Sequence, residues 1–259
     1  GDDHARTGGG GGGTVPTLTP GQRARLSQRL SMRSADGDRG GVLPLTARAL
    51  DLPPGAQRLE ALVGALAHER VIVPIEVEAD PRDTGVHAGL EKGAGADLAS
   101  VDSAVGPALA VYSCADALAS ERARARPMPL SARRVALTAL VETSGHVLVD
   151  PQGACVLLPR PAVAALAQGD VWLPAWRDPE LLAELRALAG CGEATGILDG
   201  RVVAGGATTV GVELGVDPRS EGSGVRTALA RAARAVGTSP RLSVAAERIE
   251  IRPLWAHVA

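Results

Sequence analysis

The stretch Leu157-Leu158-Pro159-Arg160-Pro161-Ala162-Val163-Ala164-Ala165-Leu166-Ala167-Gln168-Gly169-Asp170-Val171-Trp172-Leu173-Pro174 closes a longer run, Gly106 to Pro174, whose pattern is strand, helix, strand, helix, hairpin, helix. Pro161 at a first helical position and Gly169 after the last one frame the final helix of that run. The alternation predicts an α/β domain with a mixed, α+β-like sheet, and the stretch that identifies it contains no catalytic group.

Working outward toward the N-terminus, Ala108-Leu109-Ala110-Val111-Tyr112 is a near-continuous apolar strand of the kind covered on both faces. A helix at Ala115 to Ser120 and an extended Pro127-Met128-Pro129-Leu130 follow it, and Ser131 then caps a helix that turns Val135, Leu137, Leu140 and Val141 toward the sheet. His146 to Val149 and Cys155 to Leu158 flank Asp150-Pro151-Gln152-Gly153, a turn in which Pro presets φ and Gly ends the reversal, so a hairpin is expected. Earlier, Leu59, Leu62, Val63 and Leu66 recur at helical spacing and hand over to the β-branched run Val71 to Ile75. Gly85 to Ala96 is expected as a loop before a short strand at Asp97 to Val101. Residues 1–55 lack such periodicity beyond a short helical segment at Gly21 to Met32. With the six glycines Gly8 to Gly13, they predict a flexible leader, with folding starting near Ala56.

Toward the C-terminus, Asp178-Pro179 starts a helix over Glu180 to Ala189 that Gly190 closes, giving a first domain over 56–190. The composition then shifts. Asp199-Gly200 is a type I′ hairpin signal, Thr208 to Val216 alternates as a strand, and Val225 to Val236 is helical. Arg248-Ile249-Glu250-Ile251-Arg252 places two Ile on a sheet and three charges in water. Residues 191–259 are therefore expected to form a small α+β domain.

Composition narrows the function classes. The hydrophobic share of 45% is ample for a buried core, while aromatics are 2% with no Phe, which singles out Tyr112, Trp172, Trp176 and Trp255. A formal charge of -2 argues against a nucleic-acid binder, since phosphate recognition needs a clustered basic excess, and Arg122-Ala123-Arg124-Ala125-Arg126 is taken as solvated surface. Cys114, Cys155 and Cys191 are far apart and show neither disulfide-framework nor zinc spacing. No apolar run spans a bilayer and no signal-peptide pattern is present, so a cytoplasmic protein without membrane partners is expected.

Residues Ala56 to Leu188 resemble the enhanced-serine-sensitivity family, the SseB-type proteins, in the longer actinobacterial form, and the C-terminal part resembles that form's companion domain. The resemblance rests on Leu66 to Val73, on Ala108 to Ser113, on Arg126-Pro127-Met128-Pro129-Leu130, and above all on Leu158-Pro159-Arg160-Pro161 through Leu166-Ala167-Gln168-Gly169. The chain departs from the family where a Phe-Thr pair is usual, here Tyr112-Ser113, and in the more Gly-rich loop Glu91-Lys92-Gly93. What the resemblance implies is a family named for a phenotype, with no established reaction. The secretion-system protein that shares its short name is unrelated. The expectation is a non-catalytic binding or regulatory protein without a cofactor.

Among individual residues, Trp172 and Trp176 bracket Leu173-Pro174-Ala175 and, with Arg160, predict an apolar recognition shelf; the alternative is that both indoles plug the seam between the two domains. Tyr112 and Lys92, the only lysine, are further binding candidates. Cys114, before a helix N-terminus, is the one thiol placed for a lowered pKa, although a small buried junction residue is the favoured reading. Arg219-Ser220-Glu221-Gly222-Ser223-Gly224 matches the Arg-x-x-Gly-x-Gly loop of Gcn5-type acetyltransferases, in which helix N-terminal amides hold the coenzyme A pyrophosphate. An acyl-CoA-dependent transferase using Arg219, Gly222 and Gly224 is therefore the rival function, set against a plain strand-to-helix turn. Gly93-Ala94-Gly95 lacks the third glycine and the helix of a dinucleotide loop, the five His show no metal spacing, and no Gly-x-Ser-x-Gly elbow occurs.

Overall fold

The computed structural model describes residues 37–75, 98–220 and 222–256, and from Arg39 onward these belong to one compact unit. The Gly-rich tract, the helical segment at Gly21 to Met32, Lys92 and Gly93-Ala94-Gly95 lie outside the described residues. The architecture is α/β with mixed sheets.

In chain order come α1 (Pro44–Asp51), α2 (Ala56–Leu66), β1 (Arg70–Ile75), β2 (Ser100–Ser103), β3 (Gly106–Val111), α3 (Ala115–Glu121), β4 (Arg126–Ser131), α4 (Ala132–Glu142), β5 (Val147–Val149), β6 (Val156–Leu158) and α5 (Arg160–Gln168). After them follow a 3-10 turn at Ala175–Arg177, α6 (Pro179–Ala189), β7 (Ile197–Ala204), β8 (Thr209–Val216), α7 (Gly222–Val236), α8 (Pro240–Ala245) and β9 (Arg248–Trp255). A four-stranded sheet has the order β2-β3-β5-β6, with β3 and β5 parallel and the outer pairs antiparallel. β1 and β4 form an antiparallel pair, tied to the end of β3 by two backbone hydrogen bonds of 2.8 Å between Ile72 and Tyr112. The third sheet, β7-β8-β9, is antiparallel and then parallel.

The opening stretch of sequence behaves as its residues require. α5 starts on Pro159 and Pro161 and ends on Gly169 at φ 78°, the left-handed conformation that glycine enters without a Cβ clash. Its inward face, Ala162, Val163, Leu166 and Ala167, joins a core cluster with Leu62, Val73, Leu109 and Val147. α4 lies next to it through Ala132, Val135, Ala136 and Ala139. This corrects the expected phase of α4: Leu137 and Val141 are exposed, at 51% and 86%. The small alanines set the buried stripe, so a pattern that weighs only the large side chains assigns the wrong face.

Ordered structure also begins earlier than Ala56. α1 buries Thr46 and Ala49 although its own N-cap, Leu43, offers no side-chain cap. The cap comes from across the chain. The Glu69 carboxylate accepts hydrogen bonds from Leu45 N–H (2.8 Å), Thr46 N–H (2.8 Å) and the Thr46 hydroxyl (2.7 Å), while Arg70 donates to the Gly41 carbonyl at 2.6 Å. Burial opposes the charge on Glu69, yet these bonds outweigh it and hold the carboxyl below its ordinary value. Glu69→Ala is expected to lower stability by about 1–2 kcal/mol, since the first-turn amides of α1 lose their acceptor. Hydrogen exchange across 44–52 should accelerate, and unchanged protection there would refute the cap.

A second core cluster gathers Leu181, Leu185 and Ala189 of α6 with Ile197, Val210, Val212, Leu214 and Val216, Ala232 and Val236 of α7, and Leu242. α6 therefore packs with β7-β8-β9. Asp178 caps α6 by accepting from Glu180 N–H (3.0 Å) and Leu181 N–H (3.1 Å), and its second oxygen takes Arg241 at 3.0 Å, which joins α6 to α8. Burial works against ionisation of Asp178, but the Leu181 amide and the Arg241 guanidinium prevail and lower its pKa. A lowered carboxyl contributes stability that is complete above the unfolded value of about 3.9 and lost as pH falls through the folded value. Acid unfolding followed by circular dichroism should show a loss below about pH 4 that Asp178→Asn reduces, Glu69 supplying part of the remainder.

Asp199-Gly200 does not make the expected hairpin turn. Both residues lie inside β7, next to a bulge between Ile197 and Asp199, and the reversal comes at Gly205-Gly206, where the Gly205 N–H reaches the Thr209 carbonyl at 2.9 Å. A Cβ on Gly200 would meet Arg186 at 3.6 Å and the Cys191 sulfur at 3.8 Å, ordinary contact distances, so the pair is held in the strand by its register with Leu214 and Gly215 of β8.

Candidate functional site

Trp172 and Trp176 meet edge to face, with ring centroids 5.8 Å apart and planes at 90°. Both are half-buried. Trp172 rests on the first core cluster, whereas Trp176 rests on both clusters. The Trp176 indole N–H donates to Glu60 Oε1 at 2.6 Å, and Arg177 reaches the same carboxylate at 3.2 and 3.3 Å, so α2 fixes the ring's orientation.

Trp176 also lines a cleft of about 260 Å³. Its walls come from the α1–α2 turn (Pro54, Gly55, Ala56), the first turns of α2 (Arg58, Leu59), the β5–β6 hairpin (Ala154 to Leu157) and the β7–β8 turn (Ala204, Gly206, Ala207). Each contributing turn is built from small residues, and Cys155 holds a positive φ of 51° on the hairpin. Arg58 is turned to the Leu52 carbonyl at 2.6 Å, leaving the lining predominantly apolar. The cleft offers apolar contact area, and among the described residues its lining holds Cys155 but no His, Asp, Glu or Lys.

The other residues singled out by sequence are dispersed. Arg160 is exposed at the start of α5. Its backbone N–H meets Glu247 Oε2 at 3.1 Å, and Glu247 Oε1 is 2.5 Å from His146 Nε2, so Glu247 supplies the acceptor that Pro159 cannot. Tyr112 is 1% exposed, packed with Ile72, Ala110 and Leu118, and accepts from Arg122 Nε at 3.2 Å. Its ring is core and presents no surface, and burial pushes the phenol pKa up. Cys114 caps α3, its sulfur accepting from Ala117 N–H at 3.4 Å. Among the described residues no group of three or more His, Cys, Asp or Glu is placed to hold a metal ion, and no helix is long and apolar enough to cross a membrane.

The Arg219 to Gly224 segment divides. Arg219 forms a two-pronged pair with Asp217, at 3.0 Å for both contacts, while Gly222 and Gly224 belong to the first turn of α7. Open space surrounds both glycines, and Gly224 and Ser223 border a shallow depression that also includes Thr195 and Arg231. The cleft beside Trp176 escaped the sequence reading because its walls are turns more than 40 residues apart; Pro54-Gly55 and Gly205-Gly206 were the only local signals.

No curated protein and no solved structure matches the chain. Residues 47–165, from within α1 to within α5, match the family model described as SseB protein N-terminal domain, so this part of the chain is an SseB-type N-terminal domain.

Proposed function

We propose that the protein is a non-catalytic binding or regulatory module of the cytoplasm whose recognition site is the apolar cleft walled by Trp176. The observation that supports this reading is the indole held by Glu60 against a cleft of about 260 Å³ with a largely apolar lining, a size suited to one or two apolar side chains of a partner or to a small apolar ligand. Trp172 extends the aromatic surface, and Arg160, exposed at the start of α5 and not among the residues lining the cleft, is kept as a separate recognition candidate. Lys92, outside the described residues, is kept in the proposal as a binding candidate, whereas Tyr112 is core and is not part of it. The organisation into a leader over 1–55, an SseB-type domain over 56–190 and a companion domain over 191–259 is kept as part of the proposal, with α1 and α6 packed as described above.

Ala207→Trp tests the reading, because Ala207 is an exposed turn residue and a ring there fills the cleft without opening the core. Affinity capture with the tagged wild-type chain, followed by mass spectrometry, should give a partner or ligand set that Ala207→Trp loses at unchanged melting temperature. An identical set from both would sink the proposal. The acyl-CoA-transferase alternative is favoured by one observation, the open space around Gly222 and Gly224, and is weakened by the commitment of Arg219 to Asp217.

A further inference from the structure

β9 is the edge of its sheet among the described residues, and it is unusually open for a strand of eight residues. Trp255 is 66%, Leu254 49% and Ile249 41% exposed. Its backbone has a definite phase. The Arg248 N–H goes to the Thr208 carbonyl (3.2 Å) and the Ala256 N–H to the Val216 carbonyl (2.8 Å), so the even-numbered residues bond to β8. Ile249, Ile251, Pro253 and Trp255 turn their backbone groups outward. Pro253, which has no N–H, stands in this outward set and therefore leaves the β8 ladder intact. Side chains alternate as well: Ile249, Ile251, Pro253 and Trp255 share the face of Val210, Val212, Leu214 and Val216, while Arg248, Glu250, Arg252 and Leu254 share the other.

An unpaired edge is a template for another strand, and charges on it restrict which strand fits. In an antiparallel pair of two β9 strands, directly opposite residues must both be of the outward, bonding phase or both be of the other. That leaves three central registers. Centring on Glu250 sets Glu250 against Glu250 and Arg248 against Arg252, which is repulsive throughout. Centring on Arg252 sets Arg252 against itself. Centring on Ile251 sets Glu250 of each copy against Arg252 of the other, Ile251 against Ile251, and Ile249 against Pro253, with no like charges opposed.

We infer that β9 is a self-association edge, pairing antiparallel with β9 of a second copy of this chain in the register centred on Ile251. Within one chain Arg252 already donates to Glu250 Oε2 at 2.6 Å, so the two copies bring together a closed four-charge cluster on one face. On the other face the exposed ends of the apolar row, Ile249 and Trp255, gain neighbours.

Sedimentation velocity on the full chain tests this. The wild type should be a dimer, and Glu250→Arg and Arg252→Glu should each weaken dimerisation about tenfold or more, because each turns two opposite-charge pairs into like-charge pairs. An equimolar mixture of the two single variants should recover the dimer, as should the double variant, since both restore Glu opposite Arg. Unchanged circular dichroism and melting of the variants' monomers would show that only association moved, as expected for exposed side chains. A wild type that remains monomeric at about 100 μM would overturn the inference. So would a dimer indifferent to both charge variants, which places the interface elsewhere, or one that Arg252→Glu alone tightens, which selects the Glu250 register.

Discussion

Tyr112→Ala should destabilise the protein by about 3–5 kcal/mol, the range for emptying a large buried aromatic site. Tyr112 carries a backbone bridge between the β1–β4 pair and the four-stranded sheet. Its backbone exchanges both hydrogen bonds with Ile72, and its side chain fills the space between Ile72, Ala110 and Leu118. The residues clustered with it are aliphatic, so no ring in that cluster can collapse into the void. Tyr112→Phe keeps the packing and removes only the hydroxyl that accepts from Arg122, so its cost should be about 1 kcal/mol. Urea denaturation of the two variants checks this directly. Equal losses for both would mean that the hydroxyl, and not the ring's volume, holds the sheets together.

The second large effect is expected at Trp176. Its indole touches both core clusters and is half-buried, so Trp176→Ala should cost about 2–4 kcal/mol, below the full value for a completely buried ring. Trp176→Phe should recover much of the apolar contact while losing the 2.6 Å bond to Glu60. Trp172 touches one cluster only, and its replacement should cost less. Acrylamide quenching gives an independent view: both indoles should be partly accessible in the folded protein, Trp172 and Trp176 being half-buried. Complete protection of both would contradict the site as described, and a Trp176→Ala variant as stable as the wild type would contradict its bridging position.

Elements whose signals are local were legible in the residues. Pro161 and Gly169 delimit α5, Ser131 opens α4 through its 3.4 Å bond from the Arg134 N–H, and Asp178-Pro179 opens α6, each within one helical turn. The apolar run Ala108 to Val111 became the inner strand β3, bonded on one side to β2 and on the other to β5. Where the deciding partner lies far along the chain, the reading ran short. α1 has no side-chain cap of its own, so Pro44 at its first position is its one local start signal, and its acceptor, Glu69, is more than 20 residues away. Asp199-Gly200 has the chemistry of a tight turn, yet pairing with Gly215 and Leu214 of β8 keeps it in a strand.

By itself, then, the sequence determined the element types and their order from α2 to α6, the caps that lie within a turn of their helices, and the match of 47–165 to its family model, because each depends on backbone preference and on side-chain pattern over short range. Only the tertiary structure decided that α1 is anchored by Glu69, that α6 packs with β7-β8-β9, that Glu247 serves the start of α5, and that Trp176 walls a cleft. These depend on hydrogen-bond acceptors and small-residue turns brought together from distant segments. A carboxylate or a glycine carries no local mark of the partner it will meet, so that information exists only once the chain has closed on itself.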